Sequence, residues 1–487
     1  MKEEEIDMKS DIRKTKIFCT IGPASEKKIE DLINAGMNVA RINFSHGSWD
    51  EQKEKVEDII EIRERLGVPC ALLLDMQGPE VRTGLLLGDR SRKVTLEPGQ
   101  KFVLVNENIE GDETRTSVSY KDLYRDVKPG TKVLIDDGAI ELVVDEIIEK
   151  DVYCTVVYGN ELGSRKTMNF PGEQINLPAL SEKDIQDLKD GARVGFDYVA
   201  GSFIRNAEDV RQIRKILDEN GGQTIKIICK IENQEGIDNI ESILEISDGI
   251  MVARGDMAVE VPFEEVPIVQ KDFIRMCNRV GKTVITATQM LESMTNNPLP
   301  TRAEVSDVAN AVFDRSSGIM LSGECANGKY PVRCVETMVK IALRTEKRIK
   351  YWKRFSNKEI GEEIPSELEY TIAHSTLSVA KNMDADAIVA YTNSGDSVRR
   401  ISGIGGKCAI FAITDNIKTF YQLSAAWNIQ PVLIEGEKDK DRIVELGIEK
   451  LRNENILEQG DTIVISGGRN FMNGVTESKH FGGYVRL

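Results

Sequence analysis

Eight short apolar runs, separated by stretches with helical periodicity, constrain the fold of this chain more than any other feature. Near-continuous apolar runs are typical of strands in a parallel sheet whose two faces are both covered. The stretches between them, such as 50–66 and 263–280, carry apolar residues three and four positions apart, which indicates amphipathic helices. Eight such units predict a closed (β/α)8 barrel, the TIM-barrel fold, with an open doubly wound sheet as the alternative. The runs are 16–22, 38–44, 70–76, 198–204, 226–232, 249–255, 283–288 and 318–323.

The third and fourth runs are separated by about 100 residues of a different character. Short apolar segments, such as 101–105 and 132–135, are bounded there by Pro-Gly and Asp-Gly turns, which predicts an inserted all-β domain. Both of its seams fall on the carboxyl-terminal side of barrel strands, so we expect the insert to act as a lid. The predicted division is 1–78 for the first part of the barrel, 79–177 for the lid and 178–355 for the second part of the barrel.

A third pattern begins at residue 356 and continues to residue 487. A helical stretch at 368–383 precedes four further apolar runs, with helical patterns between them. This alternation predicts a separate carboxyl-terminal α/β domain. The four runs are 387–391, 408–412, 431–434 and 462–465.

Charge and cysteine usage exclude several classes of partner. The chain has 487 residues and a formal net charge of −16, which argues against nucleic acid or an anionic membrane as the main partner. Its eight cysteines are scattered and form no Cys-x-x-Cys pair, so we expect buried free thiols. The sequence shows no signal-peptide pattern and no run of about 20 apolar residues, and we expect a cytoplasmic protein.

Polar side chains stand at the carboxyl-terminal ends of six of the eight runs. In barrels, polar groups that converge on this face form the active site. The alternative for any single residue is that it caps a strand where the chain meets water, and this alternative weakens when six strand ends carry such groups. The groups are Arg41, Asn43 and Ser45; Asp75 and Arg82; Lys230 and Glu232; Arg254, Gly255 and Asp256; Thr288; and Ser322 and Glu324.

Two carboxylates and a lysine suggest chemistry on a phosphorylated anion. Glu232 and Asp256 are hard oxygen donors of the kind that Mg²⁺ or Mn²⁺ prefers. Lys230 lies two residues before Glu232, on the same face of the strand, where its ammonium can neutralise a transferring phosphoryl group. Gly255 allows close approach to the backbone, and the helix after it would direct free N–H groups at an anion such as a carboxylate.

A second group of residues suits phosphate and a monovalent cation. Arg41 and Arg82 can act as forked clamps on phosphate. The oxygens of Asn43, Ser45 and Asp75 form a cluster that suits a monovalent cation. The alternative for the serines is helix capping, which we favour for Ser48 and leave open for Ser45.

Several long motifs, in order along the chain, resemble those of the pyruvate kinase family. The resemblance is dense over the barrel, reaches the lid and extends more loosely into the carboxyl-terminal domain. The motifs are TKIFCTIGPAS (15–25), GMNVARINFSHG (36–47), DDG (136–138), NFPG (169–172), KIEN (230–233), TQMLESM (288–294), PTRAE (300–304) and MLSGE (320–324).

The resemblance implies transfer of the phosphoryl group of phosphoenolpyruvate to ADP in glycolysis, giving pyruvate and ATP. It also implies a homotetramer and a role for each matching residue. Glu232 and Asp256 would hold Mg²⁺, and Lys230 would stabilise the phosphoryl group in flight. Thr288, with backbone groups of Gly255 and Asp256, would hold the substrate carboxylate and lie on the proton route. Arg41 and Arg82 would face the phosphates. The nucleotide would meet Asn43, His46, Arg82 and Lys166, and K⁺ would bind Asn43, Ser45, Asp75 and the carbonyl of Met76.

The sequence departs from the family pattern near the proposed K⁺ site. Members that need potassium usually carry Thr-Lys after the aspartate equivalent to Asp75, with Glu at the position of Glu80. Potassium-independent members carry an apolar residue and Gln, and then Lys in place of that Glu. This chain combines Met76-Gln77 of the second kind with Glu80 of the first. No lysine replaces the missing charge, so we expect potassium dependence.

The second departure lies in the carboxyl-terminal domain. Residues 392–397 occupy the place of a family loop that binds an effector phosphate, and Thr392, Ser394, Gly395 and Ser397 could form such a nest. Asp396, however, stands where some fructose-bisphosphate-binding members have a cation. The alternative is a helix cap formed by Ser394 or Ser397. A sugar monophosphate or a nucleotide fits this prediction as well as a bisphosphate does.

Two competing functions remain at this stage. A Mg²⁺-dependent lyase or aldolase acting on pyruvate enolates would also use Glu and Asp on a metal, but it requires neither Lys230 nor a lid. A non-catalytic regulatory relative would have lost Lys230 or a metal ligand, and neither is lost.

Overall fold

The computed structural model describes residues 12–45, 47–88, 92–361, 368–468 and 480–486. Its centre is a closed barrel in which each strand pairs in parallel with the next along the chain and the last pairs with the first. This confirms the (β/α)8 barrel, and each strand falls inside a predicted run. The strands are β1 (Lys16–Thr20), β2 (Val39–Asn43), β3 (Ala71–Asp75), β4 (Tyr198–Gly201), β5 (Lys226–Ile231), β6 (Gly249–Ala253), β7 (Thr283–Ala287) and β8 (Gly318–Leu321).

Helices surround the barrel, and local sequence sets their ends. Helix Glu182–Val194 begins with a capping box between Ser181 and Asp184 and ends at Gly195, whose φ of 85° is left-handed. Helix Trp49–Leu66 begins at Ser48 with a capping box, which confirms the capping role favoured for that serine. The other barrel helices are Ile29–Ala35, Ala207–Glu219, Gln234–Asp238, Ile240–Ile246, Arg254–Glu260, Val266–Val280, Arg302–Phe313, Gly323–Ala326 and Pro331–Glu346, with a 3-10 turn at Glu292–Thr295.

The inward face of the barrel is a packed core that fixes where the polar side chains point. Val39, Leu73 and Ile228 are buried in the cluster that fills the barrel. Because side chains alternate along a strand, the residues two positions further on share the inward face at its carboxyl-terminal end. The core therefore places Arg41, Asp75 and Lys230 around one opening.

The segment between β3 and helix Glu182–Val194 folds as the predicted all-β insert, with its own hydrophobic core. The nine strands among its described residues form a seven-stranded and a two-stranded sheet. The limits 79 and 177 stay a prediction. The strands are Val81–Arg82, Val94–Thr95, Lys101–Val105, Arg115–Ser117, Lys132–Ile135, Ile140–Ile148, Asp151–Tyr158, Glu161–Leu162 and Thr167–Asn169, with one helix at Leu123–Asp126.

The carboxyl-terminal part is an α/β domain built on a five-stranded sheet. Four parallel strands match the four predicted runs, and a fifth, His480–Arg486, pairs antiparallel with Thr462–Gly468. The other strands are Ala387–Tyr391, Ala409–Thr414 and Ile429–Leu433. The helices are Tyr351–Gly361, Leu368–Asn382, Asp396–Ile404, Ile417–Gln422 and Lys440–Asn453, with a 3-10 turn at Leu423–Ala425.

All eight cysteines are free and buried, as predicted from their scatter along the chain. Among the described residues, no helix is both long enough and apolar enough to cross a membrane.

Candidate active site

The predicted barrel residues Arg41, Asp75, Lys230 and Glu232 form one contiguous cluster at the carboxyl-terminal mouth of the barrel. Lys230 Nζ lies 3.4 Å from Asp75 Oδ1 and 3.1 Å from Glu232 Oε1. Arg41 Nε donates to Asp75 Oδ2 at 2.6 Å, and Arg41 Nη1 donates to Thr20 Oγ1 at 2.7 Å. Asp75 and Glu232 are fully buried, so these carboxylates are held by cations and not by water.

Ser202, a residue that the sequence analysis missed, completes the cluster. Lys230 Nζ donates to Ser202 Oγ at 2.7 Å, and Ser202 Oγ donates to the carbonyl oxygen of Met76 at 2.7 Å. The hydroxyl therefore joins the lysine to one of the predicted K⁺ ligands. Its place just after strand β4 was the one available sequence signal.

The electrostatics of the cluster keep Lys230 charged. Burial lowers the pKa of this lysine, but the carboxylates of Asp75, Glu232 and Asp256 outweigh burial and raise the pKa above its ordinary value. Burial also opposes ionisation of Asp75, yet Arg41 and Lys230 lower the pKa of Asp75 below its usual range. Burial and the neighbouring Asp256 raise the pKa of Glu232, against the effect of Lys230.

The arrangement around Glu232 fits a bound cation. Oε1 of Glu232 and Oδ1 of Asp75 are buried, and each lies beside the Lys230 ammonium, at 3.1 and 3.4 Å, without a further hydrogen-bond donor among the described residues. The Oε2 atom of Glu232 accepts from the backbone N–H of Phe203 at 2.6 Å, which fixes the carboxylate in place. Within the described residues, no group of three or more His, Cys, Asp or Glu side chains is arranged to hold a metal. Two carboxylates suit Mg²⁺, which usually takes its other ligands from water and substrate oxygens.

The predicted carboxylate-binding residues meet at the ends of β6 and β7. Thr288 has a left-handed backbone (φ 66°), and its Oγ1 accepts from the backbone N–H of Gly255 at 2.9 Å. Arg254 holds this turn, because its Nε donates to the Ala287 carbonyl at 3.1 Å and its Nη2 to the Thr288 carbonyl at 2.6 Å. Asp307 pairs with Arg254 at 2.8 Å. The sequence did not reveal this positive φ, which is uncommon for a β-branched residue.

The predicted nucleotide-binding residues of the lid are paired within the lid. Arg82 Nε donates to Glu80 Oε2 at 2.7 Å, and Lys166 Nζ donates to Asp136 Oδ1 at 2.8 Å. Arg82 and Thr167 face each other on paired strands, so Arg82 lies beside Lys166. Within the described residues, the ion-pair partners of these two cations are Glu80 and Asp136, and neither belongs to the barrel cluster.

The remaining predicted cation and nucleotide ligands lie at the end of β2. Asn43 Oδ1 accepts from the backbone N–H of Ser45 at 3.0 Å, and strand pairing sets Asn43 opposite Asp75. The side chains of Asn43, Ser45 and Asp75 thus belong to one corner of the mouth. His46 lies outside the described residues.

The predicted effector loop joins strand Ala387–Tyr391 to helix Asp396–Ile404. The cap residue of that helix is Gly395, with a left-handed φ of 86°. Thr392 Oγ1 accepts from the Gly395 N–H at 2.9 Å, and Ser394 Oγ donates to Asp396 Oδ2 at 2.8 Å. Ser397 lies inside the helix. Neither predicted serine occupies the cap position itself.

Comparisons with known proteins agree over almost the whole chain. A family model described as pyruvate kinase, barrel domain, matches residues 12–335, and one described as pyruvate kinase, alpha/beta domain, matches residues 370–478. The pyruvate kinase of Clostridium acetobutylicum is 45% identical over 460 residues, which is 94% of this chain and 96% of the relative. The pyruvate kinase of Staphylococcus aureus (strain MRSA252) is 45% identical over 463 residues, 94% of this chain and 78% of the relative.

Proposed function

The chain belongs to the pyruvate kinase family, and we propose that its reaction is catalysed by the cluster around Lys230. The reaction is phosphoryl transfer from phosphoenolpyruvate to ADP, which gives pyruvate and ATP. The observation that carries the assignment is the Lys230 ammonium, on a side chain only 13% exposed, between two buried carboxylates that keep it charged. A fixed positive charge in a site shielded from water stabilises the charge of a transferring phosphoryl group far better than water does.

The other residues take roles that follow from their positions. Arg41, held by Asp75 and Thr20, presents a guanidinium to the phosphoryl oxygens. Thr288 and the backbone of Gly255 and Asp256 hold the substrate carboxylate, and the Thr288 hydroxyl lies on the proton route to the enolate carbon. Arg82 and Lys166, with Asn43 and His46, bind the phosphates of the nucleotide.

Two cations complete the proposed site. Glu232 and Asp256 hold Mg²⁺ or Mn²⁺, which supplies Lewis-acid stabilisation of phosphoryl and enolate oxygens. Oε1 of Glu232, whose only neighbouring donor among the described residues is the Lys230 ammonium, supports this placement. K⁺ would bind Asn43, Ser45, Asp75 and the Met76 carbonyl, and Oδ1 of Asp75, which has only the distant Lys230 ammonium beside it among the described residues, supports this site. With Glu80 retained, the activity depends on K⁺.

The proposed pathway, compartment, assembly and regulation follow the same family pattern. The enzyme works in glycolysis in the cytoplasm, as a homotetramer, and residues 392–397 bind a phosphorylated effector. Exposed apolar side chains on the barrel support subunit contacts, since Phe263 is 78%, Leu299 64% and Ile268 54% exposed. Neither nucleic acid nor a membrane is a partner.

The test is pyruvate formation from phosphoenolpyruvate and ADP with Mg²⁺, with and without K⁺, for the wild type and Lys230→Met. We expect activity with K⁺, little activity in Na⁺ or tetramethylammonium, and loss of at least about a hundredfold in the variant, which keeps the side-chain length and loses the charge. Equal activity without K⁺ would refute the K⁺ site and leave the kinase. An active Lys230→Met would refute the role of the lysine.

A further inference from the structure

One side-chain hydrogen bond joins the lid to the barrel beside the proposed metal site. Asn169 Nδ2 donates to Glu260 Oε1 at 2.6 Å. The Phe170 backbone lies near the same carboxylate and favours its ionised form. Asn169 ends the lid strand Thr167–Asn169, and Glu260 ends the barrel helix Arg254–Glu260. The contact therefore connects two elements that are 91 residues apart in sequence and belong to different domains.

The barrel side of this contact leads directly to the substrate site. Glu260 and Asp256 are four residues apart on one seven-residue helix, so their side chains lie on the same face. Burial, and after it the carboxylate of Asp256, raises the pKa of Glu260, as expected for two carboxylates on one face of a helix. A tilt of this short helix moves Asp256 and the Gly255 N–H with it.

The lid side leads to the nucleotide residues. Asn169 lies on the strand that begins one residue after Lys166 and that pairs with Arg82 through Thr167. A rotation of that strand would carry both cations. One short strand and one short helix thus connect the nucleotide-binding cations to Asp256 through the Asn169–Glu260 pair.

Two features of the surroundings bear on this hydrogen bond, a cavity beside it and the partial burial of the Glu260 carboxylate. A cavity of about 510 Å³ opens beside it, with Asn169, Phe170, Phe203 and Glu260 among its lining residues. The cavity leaves room for the lid to move relative to the barrel. Glu260 is partly buried, so water compensates its carboxylate only in part when the amide donor is lost, and the paired state is favoured.

We propose that Asn169 and Glu260 are positioning residues that couple the orientation of the lid to the position of Asp256. The proposal rests on the function proposed above and adds a specific device to it. With the bond intact, the lid strand holds Arg82 and Lys166 at a fixed distance from the metal-binding helix. Without the bond, the lid strand is no longer held in a fixed position relative to the barrel, and the nucleotide-binding cations on and beside it shift with it.

The test compares Asn169→Ala, Glu260→Ala, their double variant and Glu260→Gln, whose amide oxygen still accepts from Asn169. Asn176→Ala is the matched control, because Asn176 is another lid asparagine whose side chain bonds only within the lid, to Asp126 Oδ1 at 2.9 Å. Steady-state kinetics give kcat and the KM for ADP. Hydrogen–deuterium exchange of the unliganded protein, without nucleotide or metal, follows segments 254–260 and 167–169.

We expect each alanine variant to raise the KM for ADP about tenfold, with a smaller change in kcat, because a hydrogen bond to a charged group is lost. The double variant should resemble Glu260→Ala, because the carboxylate that accepts from Asn169 is already absent in that variant. Glu260→Gln and Asn176→Ala should stay within about twofold of the wild type. Exchange should accelerate in both segments in each alanine variant.

Additive effects of the two alanine substitutions, or unchanged exchange in segment 254–260 when Asn169 is replaced, would overturn the coupling. A lowered melting temperature with an unchanged KM for ADP would also overturn it, because the pair would then be merely structural. The exchange measurement requires no turnover. It therefore tests the coupling even if the wild type forms no pyruvate, a result that would instead refute the proposed function.

Discussion

At the scale of single residues, Ser202 is the side chain whose removal is most informative. Its hydroxyl accepts from Lys230 and donates to the Met76 carbonyl, so it sets the position of the ammonium and occupies a lone pair of a proposed K⁺ ligand. We expect Ser202→Ala to lower kcat about tenfold while the KM for ADP changes little, because the lysine stays charged but loses one of its anchors. Steady-state kinetics at saturating Mg²⁺ and K⁺ measure this.

The matched control for that substitution is Ser242→Ala, since the Ser242 hydroxyl donates to the Asn239 carbonyl at 2.9 Å on the exposed face of helix Ile240–Ile246. Ser242→Ala should leave kcat and the KM for ADP unchanged. A Ser202→Ala enzyme with a wild-type kcat would show that Asp75 and Glu232 alone position Lys230.

The sequence predicts the inward-facing residues well and their partners poorly. Alternation along β2, β3 and β5 is enough to put Arg41, Asp75 and Lys230 on one face. Ser202 follows β4 as an ordinary small polar residue, and no periodicity distinguishes it. The bond between Asn169 and Glu260 depends on how the lid sits on the barrel, which no local pattern encodes.

At the scale of elements, the loop 392–397 and the helix after it carry the prediction on regulation. Gly395 has a φ of 86°, and an added Cβ would meet Leu423 Cδ2 at 2.9 Å, so a β-branched residue there distorts the loop. We expect millimolar sugar phosphates or nucleotides to raise the melting temperature of the wild type and to lower its half-saturating phosphoenolpyruvate concentration. Gly395→Val should lose both responses, as followed by thermal denaturation and kinetics with and without the compound.

Gly436→Val is the control for backbone strain alone, because Gly436 has a φ of 81° and no heavy atom within 4 Å of an added Cβ. It should keep the response to effectors. If no phosphorylated compound changes the melting temperature or the kinetics of the wild type, the loop is only a connection between a strand and a helix.

Most elements could be predicted because buried parallel strands form near-continuous apolar runs in the sequence. The eight barrel strands and four of the five carboxyl-terminal strands that the structure describes show such runs. Strand His480–Arg486 carries two glycines and two charged or ionisable ends, so it lacks both the continuous and the alternating apolar pattern. The left-handed turn at Thr288 could not be predicted for a related reason. It is held by tertiary hydrogen bonds from Arg254, whereas a turn that local sequence encodes would carry a turn-forming residue.

At the scale of the whole molecule, buried cations join the bottom of the barrel to the carboxyl-terminal domain. Lys16 Nζ donates to the Ile429 carbonyl at 2.6 Å, and Lys14 Nζ donates to Asn428 Oδ1 at 3.0 Å. Glu346 accepts from the backbone N–H groups of Lys14 and Thr15 at 2.9 and 2.8 Å. The interface therefore places two lysines and one carboxylate where water does not reach them.

The charge of Lys16 gives this interface a pH dependence with a definite sign. Burial, reinforced by the nearby Arg13, lowers the pKa of Lys16 to about 7, against about 10.4 for an unfolded chain. Between these values the unfolded state binds more protons than the folded state, so this group makes the protein more stable as the pH rises from 7 toward 10.

Lys16→Met removes the titration and keeps the buried volume. We therefore expect the melting temperature of the variant, relative to the wild type, to be higher at pH 7 than at pH 9. Thermal denaturation of both proteins at the two pH values measures the difference, which also cancels the titration of other groups. A difference that is equal at pH 7 and pH 9 would mean that Lys16 keeps an ordinary pKa in the folded protein.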